Sequence, residues 1–298
     1  MEEPRRTASG TFQLAACRWF YDVSQMGAIC TKGVSPEPWQ GNPGPRTAET
    51  PAGMVNSVGL QNPGVDHYLV DELPKLKDLG ATVITNVAGH SDDEYAEVVA
   101  KLADSRADML EINVSCPNVN HGGMSVGTDP EALHRLIDRL RKITSKPMIV
   151  KLSPNVTDIT TIARAAVDAG ADALSLINTL VGMRIDIRTG EPILSNRTGG
   201  VSGPAIFPIA LSYVCACVRR CPTFRSSASA ASTRGRRHWN TCMRARTPSR
   251  SARLPCTIRR HHCAWPASST TCWIQGPNLR RSSQRGRLGD NHQLRRVL

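Results

Sequence analysis

From residue 81 onward the chain alternates between short apolar segments rich in β-branched residues and segments with helical spacing, and this alternation limits the possible folds. Strands are predicted at 81–89, 107–115, 147–154 and 171–179. Helices are predicted between them at 92–106, 130–143 and 159–170, and the Asp129–Pro130 pair is a typical helix start. Strands connected through helices at this spacing pair in parallel, so the sequence predicts an α/β fold.

Two architectures fit this pattern, a (β/α)8 TIM barrel and an open doubly wound sheet. No Gly-x-Gly-x-x-Gly follows the first strand, which disfavours the dinucleotide-binding form of the open sheet. We therefore predict the barrel. In that fold the chemistry lies at the carboxyl ends of the strands, so the polar residues at those ends are the candidates for a site.

The predicted strand ends carry amides, a thiol and an ammonium group: Asn86, Asn113, Cys116, Lys151 and Asn178. Each asparagine offers both donors and an acceptor, which suits a planar ligand with alternating C=O and N–H edges, such as a pyrimidine or a flavin. Lys32 and Lys151 would neutralise a carboxylate or the electron-rich edge of a reduced flavin. Cys116 is the candidate base, because a free thiol titrates near ~8.5.

Each of these residues also has an ordinary structural explanation. A cysteine at a strand end is commonly a small buried apolar residue, asparagines cap helices and turns, and lysines are usually solvated. Their joint placement on successive strand ends is what favours a site.

Ten stretches of the first 213 residues together resemble the dihydroorotate dehydrogenase family. They are ASGTF at 8–12, TKG at 31–33, GNP at 41–43, PR at 45–46, NSVGLQNPG at 56–64, NVAG at 86–89, EINVSCPN at 111–118, VKLSP at 150–154, INT at 177–179 and GGVSGP at 199–204. The TKG and VSGPAI variants resemble the class 1 catalytic subunit that is linked to NAD through a partner subunit.

The resemblance implies an FMN-dependent barrel that oxidises dihydroorotate to orotate in pyrimidine (UMP) biosynthesis. Cys116 would be the catalytic base. The substrate would be bound by Lys32, Asn56, Gly59, Leu60, Asn113, Asn178 and Thr179. FMN would contact Ser9, Lys32, Asn86, Asn113, Lys151, Ile177 and Gly203. A partner subunit with FAD and an iron–sulfur cluster would pass electrons to NAD in a heterotetramer, and no metal site is implied in this chain.

The composition changes near residue 213. Residues 214–298 contain 18 arginines, no lysine and one acidic residue, Asp290, together with seven of the ten cysteines. The arginines suit electrostatic binding of nucleic acid. The cysteines and histidines of this tail have no spacing typical of a tetrahedral metal site.

A shifted reading frame offers another explanation of the tail. In this explanation the tail is translated one nucleotide out of frame, so each true codon consists of the last base of one codon as read and the first two bases of the next. Under that shift, His238, Trp239 and Asn240 force Leu followed by Glu. Across 224–232 the shifted frame permits PIIGIGGI, and across 237–253 it permits ALEYMYAGANAVQIGT. The family resemblance implies two phosphate-binding βα units at these places.

We therefore predict an FMN-dependent dehydrogenase barrel over 1–213, incomplete at its C-terminal end, and an out-of-frame, disordered tail over 214–298. Such a chain should fold poorly, bind FMN weakly and be inactive. The alternative hypothesis is an inactive, degenerate barrel with a basic nucleic-acid-binding tail. No signal-peptide pattern and no run of ~18 apolar residues is present, so we expect a cytoplasmic protein with neither membrane nor nucleic acid among its partners.

Overall fold

The computed structural model describes residues 7–11, 22–114 and 126–221, together with the backbone of three short strands further along the chain. The strands, in chain order, are β1 (Ile29–Cys30), β2 (Thr47–Thr50), β3 (Gly53–Asn56), β4 (Val83–Val87), β5 (Met109–Asn113), β6 (Met148–Lys151), β7 (Ala173–Leu176), β8 (Leu180–Met183), β9 (Thr198–Ser202), β10 (Cys242–Met243), β11 (Ile258–Arg259) and β12 (Cys272–Gln275).

Five strands form a parallel sheet in the order β1-β4-β5-β6-β7. The register places Cys30 opposite Ile84, Asn86 opposite Glu111 and Asn113 opposite Lys151. The four strands predicted at 81–89, 107–115, 147–154 and 171–179 are confirmed as β4 to β7. The α/β prediction is therefore confirmed.

Helices connect these strands. They are α1, made of the contiguous helical turns Val65–His67, Tyr68–Glu72 and Leu73–Asp78, then α2 (Asp92–Ala103), α3 (Pro130–Ile143), α4 (Ile159–Asp168) and α5 (Phe207–Arg220). α3 begins as predicted, because the Asp129 carboxylate caps it by accepting from the backbone N–H groups of Glu131 and Ala132. Its buried face carries Leu133, Leu136, Ile137 and Leu140. None of the helices described is long and apolar enough to span a membrane.

The parallel strands are buried on both faces, and their two sets of alternate residues differ in chemistry. One set, including Ile29, Val83, Ile112 and Leu174, packs against the buried faces of the helices and forms the large core with them. The other set begins with a small apolar cluster of Ala28, Cys30, Ile84, Met109, Ile149 and Ala173. Two residues further along three of these strands, the same face carries Lys32, Asn86 and Lys151, because side chains on a strand alternate with period two. The apolar floor thus leads into a polar layer at the carboxyl ends.

A second, antiparallel sheet has the order β2-β3-β9-β8. Asn56 of β3 is opposite Gly200 of β9, and Val181 of β8 is also opposite Gly200. The βα pattern of the sequence does not predict this sheet. It supplies one wall of the pocket described below.

The packed part of the chain extends past residue 213, where the composition changes. α5 runs unbroken to Arg220, and its side chains Val214 and Cys217, followed by Cys221, are buried in the large core. Within the tail, β12 pairs with β7 in antiparallel fashion, with Cys272 opposite Leu176. The out-of-frame, disordered tail over 214–298 stays a prediction.

Candidate active site

A pocket of about 410 Å³ opens at the carboxyl ends of the parallel strands. This volume is in the range of small-molecule and cofactor sites. The lining comes from four parts of the chain: the N-terminal segment Ser9–Thr11, the strand ends of the parallel sheet with their following loops, the loop that follows β3, and the antiparallel sheet with the residues before β9. In the part of the chain that the structure describes, this lining contains two lysines, six asparagines and no carboxylate.

The two lysines hold the positive charge of the pocket. Lys151 ends β6 and is only 5% exposed, and its Nζ donates to Ser9 Oγ at 2.6 Å. Lys32 follows β1, and its side chain passes over Gly10, where an added Cβ would lie 3.6 Å from Lys32 Nζ. Two ammonium groups without a lining carboxylate favour a ligand that is anionic or rich in carbonyl oxygens.

Hydrogen bonds fix the amides at the ends of β5 and β7. Asn178 Nδ2 donates to Asn113 Oδ1 at 3.2 Å, and Asn178 Oδ1 accepts from the Thr179 backbone N–H at 2.8 Å. The hydroxyl of Tyr95 on α2 donates to the backbone carbonyl of Asn113 at 2.6 Å, which attaches the end of β5 to the helix that precedes it. These amides are therefore held in place without a ligand.

The wall built by the antiparallel sheet depends on glycine. Asn56 Nδ2 donates to the Gly200 carbonyl at 3.3 Å. A Cβ at Gly200 would lie 2.0 Å from Thr179 Oγ1, so no other residue fits between the two sheets at this point. The close approach brings Asn56 and Thr179 to the same pocket.

Most of the predicted site residues that the structure describes line this pocket: Ser9, Lys32, Asn56, Gly59, Leu60, Asn86, Asn113, Lys151, Asn178 and Thr179. Ile177 and Gly203 are buried but are not among the lining residues. Cys116 lies outside the described residues. The structure thus brings the amides and lysines together, while the roles assigned to individual residues stay predictions.

Several lining residues were not predicted from the sequence. Thr47, Met54 and Thr198 belong to the antiparallel sheet, and Asn196 precedes β9. Asn155, in the loop after β6, donates to the Thr179 carbonyl and accepts from the Val181 N–H, both at 3.1 Å. Its signal in the sequence was the position four residues after Lys151, in the loop at a strand end.

A comparison with protein families shows which family the chain belongs to. The model of the family described as dihydroorotate dehydrogenase matches residues 1–223. This chain belongs to the dihydroorotate dehydrogenase family. The match extends beyond residue 213, in agreement with the packing of α5.

Individual relatives agree with the family match. A protein of Alkaliphilus metalliredigens named dihydroorotate dehydrogenase B (NAD(+)), catalytic subunit, is 53% identical over 215 residues, which are 72% of this chain and 71% of that protein. Proteins with the same name from Listeria monocytogenes and Alkaliphilus oremlandii are 50% and 51% identical over 216 and 215 residues, again 72% of this chain and 71% of each relative.

Family membership also confirms the predicted barrel class, because dihydroorotate dehydrogenases are TIM barrels. The five parallel strands β1, β4, β5, β6 and β7 are the part of that barrel present among the described residues. Helices α2, α3 and α4 pack side by side along the chain, as expected for the outer layer of such a barrel.

Proposed function

We propose that this chain is, by descent, the catalytic subunit of an NAD-linked dihydroorotate dehydrogenase, which oxidises (S)-dihydroorotate to orotate in de novo pyrimidine biosynthesis. The observation that carries the proposal is the pocket itself, where two lysines and a set of asparagines meet at the carboxyl ends of parallel strands. A small cyclic acid with ring N–H and C=O groups matches these donors, acceptors and charges.

The same pocket fits FMN as the cofactor. A planar ring system needs close backbone approach on one side and fixed polar groups along its edge. Gly33, Gly199 and Gly200 lie in the lining, so backbone is exposed to the pocket there, and Asn86 and Lys151 are fixed polar groups. We assign FMN contacts to Ser9, Lys32, Asn86, Asn113 and Lys151. When bound, the flavin supplies a two-electron acceptor for a hydride.

We assign the substrate to Lys32, Asn56, Asn113, Asn178 and Thr179. Lys32 is suited to the carboxylate of the substrate, and the amides are suited to the ring. The proposed chemistry removes a proton from C5 and a hydride from C6, so that a C5=C6 double bond forms. The Cys116 thiolate takes the C5 proton, as the resemblance implies.

The electrons must then leave this chain. The relatives are named catalytic subunits and are linked to NAD(+), which supports a second subunit that completes the reaction. We propose that this partner carries FAD and an iron–sulfur cluster and that the complex is a cytoplasmic heterotetramer.

The proposal is tested by mixing the chain with excess FMN under anaerobic conditions and adding dihydroorotate. Loss of the flavin absorbance near its visible maximum, with one orotate formed per flavin reduced, is the expected result. The same experiment is run on a chain in which the reading frame of residues 214–298 has been restored, because we expect the chain as it stands to bind FMN weakly.

Two variants of the restored chain complete the test. Cys116→Ser should slow flavin reduction by at least about a hundredfold at neutral pH, since general-base catalysis is worth about 10²–10⁴ and a serine hydroxyl is a far weaker acid than a thiol. Ser212→Ala, at an exposed position on α5, is the control and should change the rate little. A restored chain that binds FMN but is not reduced by dihydroorotate rejects the proposed substrate.

A further inference from the structure

One carboxylate lies directly behind the pocket and has no part in the proposed chemistry. Glu111 is in the middle of β5 and is completely buried, with 0% exposure. Its Oε1 accepts from Asn86 Nδ2 at 2.7 Å and lies 3.5 Å from Cys30 Sγ. Its Oε2 accepts no hydrogen bond from the residues that the structure describes. A buried carboxylate is costly, so its strong bond to Asn86 is the contact to explain.

The bond to Glu111 determines which way the Asn86 amide faces. A carboxylate only accepts hydrogen bonds, so the NH2 group of the amide must face it, and the reversed amide would place two acceptors against each other. The oxygen of the amide then faces away from Glu111. This oxygen, Asn86 Oδ1, lies next to Gly33, because a Cβ added to Gly33 would be 2.7 Å from it. Both Gly33 and Asn86 line the pocket.

We propose that Glu111 is a positioning residue, whose buried carboxylate fixes the Asn86 amide so that its oxygen faces the pocket and selects a ligand edge with an N–H donor. The inference rests on the proposed function, in which that ligand is a flavin. The imide N3–H is the ring N–H donor of an oxidised flavin. Register supports the assignment, because Asn86 and Glu111 are directly paired residues on neighbouring parallel strands.

The first test compares two flavins that lack the phosphate. Riboflavin carries the N3–H, whereas 3-methylriboflavin carries a methyl group there, and their dissociation constants are measured by fluorescence titration of the chain. We expect 3-methylriboflavin to bind at least about tenfold more weakly, because it leaves the buried Asn86 oxygen without a donor.

The second step repeats the comparison with Glu111→Gln, which keeps the shape but offers both a donor and an acceptor. The Asn86 amide is then no longer held in one orientation, and the preference for riboflavin should fall at least about threefold. Any steric effect of the methyl group acts in both proteins, so it cancels when the preference for riboflavin in the variant is divided by that in the unchanged chain. The exposed Glu131→Gln on α3 is the control and should keep the full preference. A Glu111→Gln chain that keeps the full preference overturns the proposal.

A third measurement needs no ligand and no folded variant of Glu111. The side-chain NH2 signals of Asn86, identified by their loss in Asn86→Ser, are followed by NMR in the unchanged chain. A hydrogen bond to a buried carboxylate should shift one proton downfield and slow its exchange with solvent by at least about a hundredfold. Rapid exchange overturns the positioning role. Protected signals without riboflavin binding keep the role and reject the flavin instead.

Discussion

Lys151 shows how one residue combines burial with charge at the pocket. Its Nζ donates to Ser9 Oγ, and no carboxylate lines the described part of the pocket, so its charge is directed to the ligand. Lys151→Met keeps the length and removes the charge. We expect FMN or riboflavin to bind at least about tenfold more weakly, since hydrogen bonds to charged groups contribute about 1.5–3 kcal/mol.

The matched control for Lys151 is Lys142→Met on the surface of α3. The side chain of Lys142 is 73% exposed and pairs with Asp138 one turn before it. Flavin titration should show no change for this variant. Equal affinities for Lys151→Met and the unchanged chain would remove Lys151 from the site.

At the residue scale, the sequence predicted the pocket residues that follow from strand periodicity. Asn86, Asn113, Lys151 and Asn178 come at the carboxyl ends of strands that were recognisable by composition, and the barrel brings such ends together. Glu111 was not singled out, because a glutamate in mid-strand carries no signal of burial until its neighbour on the next strand is known. Asn196 and Thr198 were missed because their position depends on an unpredicted sheet.

At the scale of elements, an aspartate connects a strand to a helix at two places, both at the amino ends of the strands. Asp108 Oδ2 accepts from the Val83 backbone N–H at 2.7 Å and pairs with Lys77, and Asp172 Oδ2 accepts from the Met148 N–H at 2.9 Å and pairs with Arg141. Each aspartate, which immediately precedes its own strand, thus joins that strand to the neighbouring strand and to a helix. This end of a barrel serves stability.

Asp172→Asn should therefore weaken folding without affecting the pocket. Asp172 Oδ2 accepts from both the Met148 N–H and Arg141, and the substitution removes the negative charge that strengthens these two hydrogen bonds, so we expect the free energy of unfolding to fall by about 1–3 kcal/mol. Denaturant titration measures this change, and riboflavin affinity of the folded variant should stay the same. Asp138→Asn, in an exposed pair, serves as the control with an expected loss of at most about 0.5 kcal/mol. A weaker riboflavin affinity in Asp172→Asn would contradict the separation of the two ends.

The start of α4 gives a pH-dependent contribution. Asp158 caps the helix, and hydrogen bonds from the Thr160 hydroxyl and backbone N–H lower the pKa of its carboxyl. A lowered folded pKa means that the ionised cap stabilises the fold above the ordinary aspartate pKa and that this contribution disappears as the pH falls through the folded value. Asp158→Ala should cost about 1 kcal/mol at neutral pH and progressively less in acid. Denaturant midpoints across this range check it, and a cost that does not change with pH would exclude the ionised cap.

Elements with a clear period were predictable, and the others were not. β4 to β7 and the helices between them follow from apolar runs and from capping residues such as Asp129. β9 reads TGGVS, whose glycines and threonine show no alternation, and β8 is a four-residue edge strand with exposed Val181 and Met183. β9 forms because β3, from a distant part of the chain, lies beside it, and β8 in turn pairs with β9.

At the scale of the whole molecule, the parallel sheet ends at β7, which pairs on its outer side with the antiparallel β12. A barrel would place parallel strands there. We propose that the tail, residues 214–298, is translated out of frame and that the true frame encodes the further βα units that the family resemblance implies. Glycine-rich turns at helix N-termini are the groups that bind a phosphate, through free backbone N–H groups.

Comparison of FMN with riboflavin tests this proposal, because the two flavins differ only in the phosphate. If the proposal is right, the chain as it stands should bind both with nearly equal affinity, because the pocket among the described residues would contact the ring, and an out-of-frame tail would not encode the glycine-rich turns that bind the phosphate. The chain with a restored frame should prefer FMN by at least about a hundredfold, because several charge-assisted hydrogen bonds are gained. It should also unfold at a higher temperature. A strong preference for FMN in the unaltered chain would show that its own tail binds the phosphate and would end the frame hypothesis.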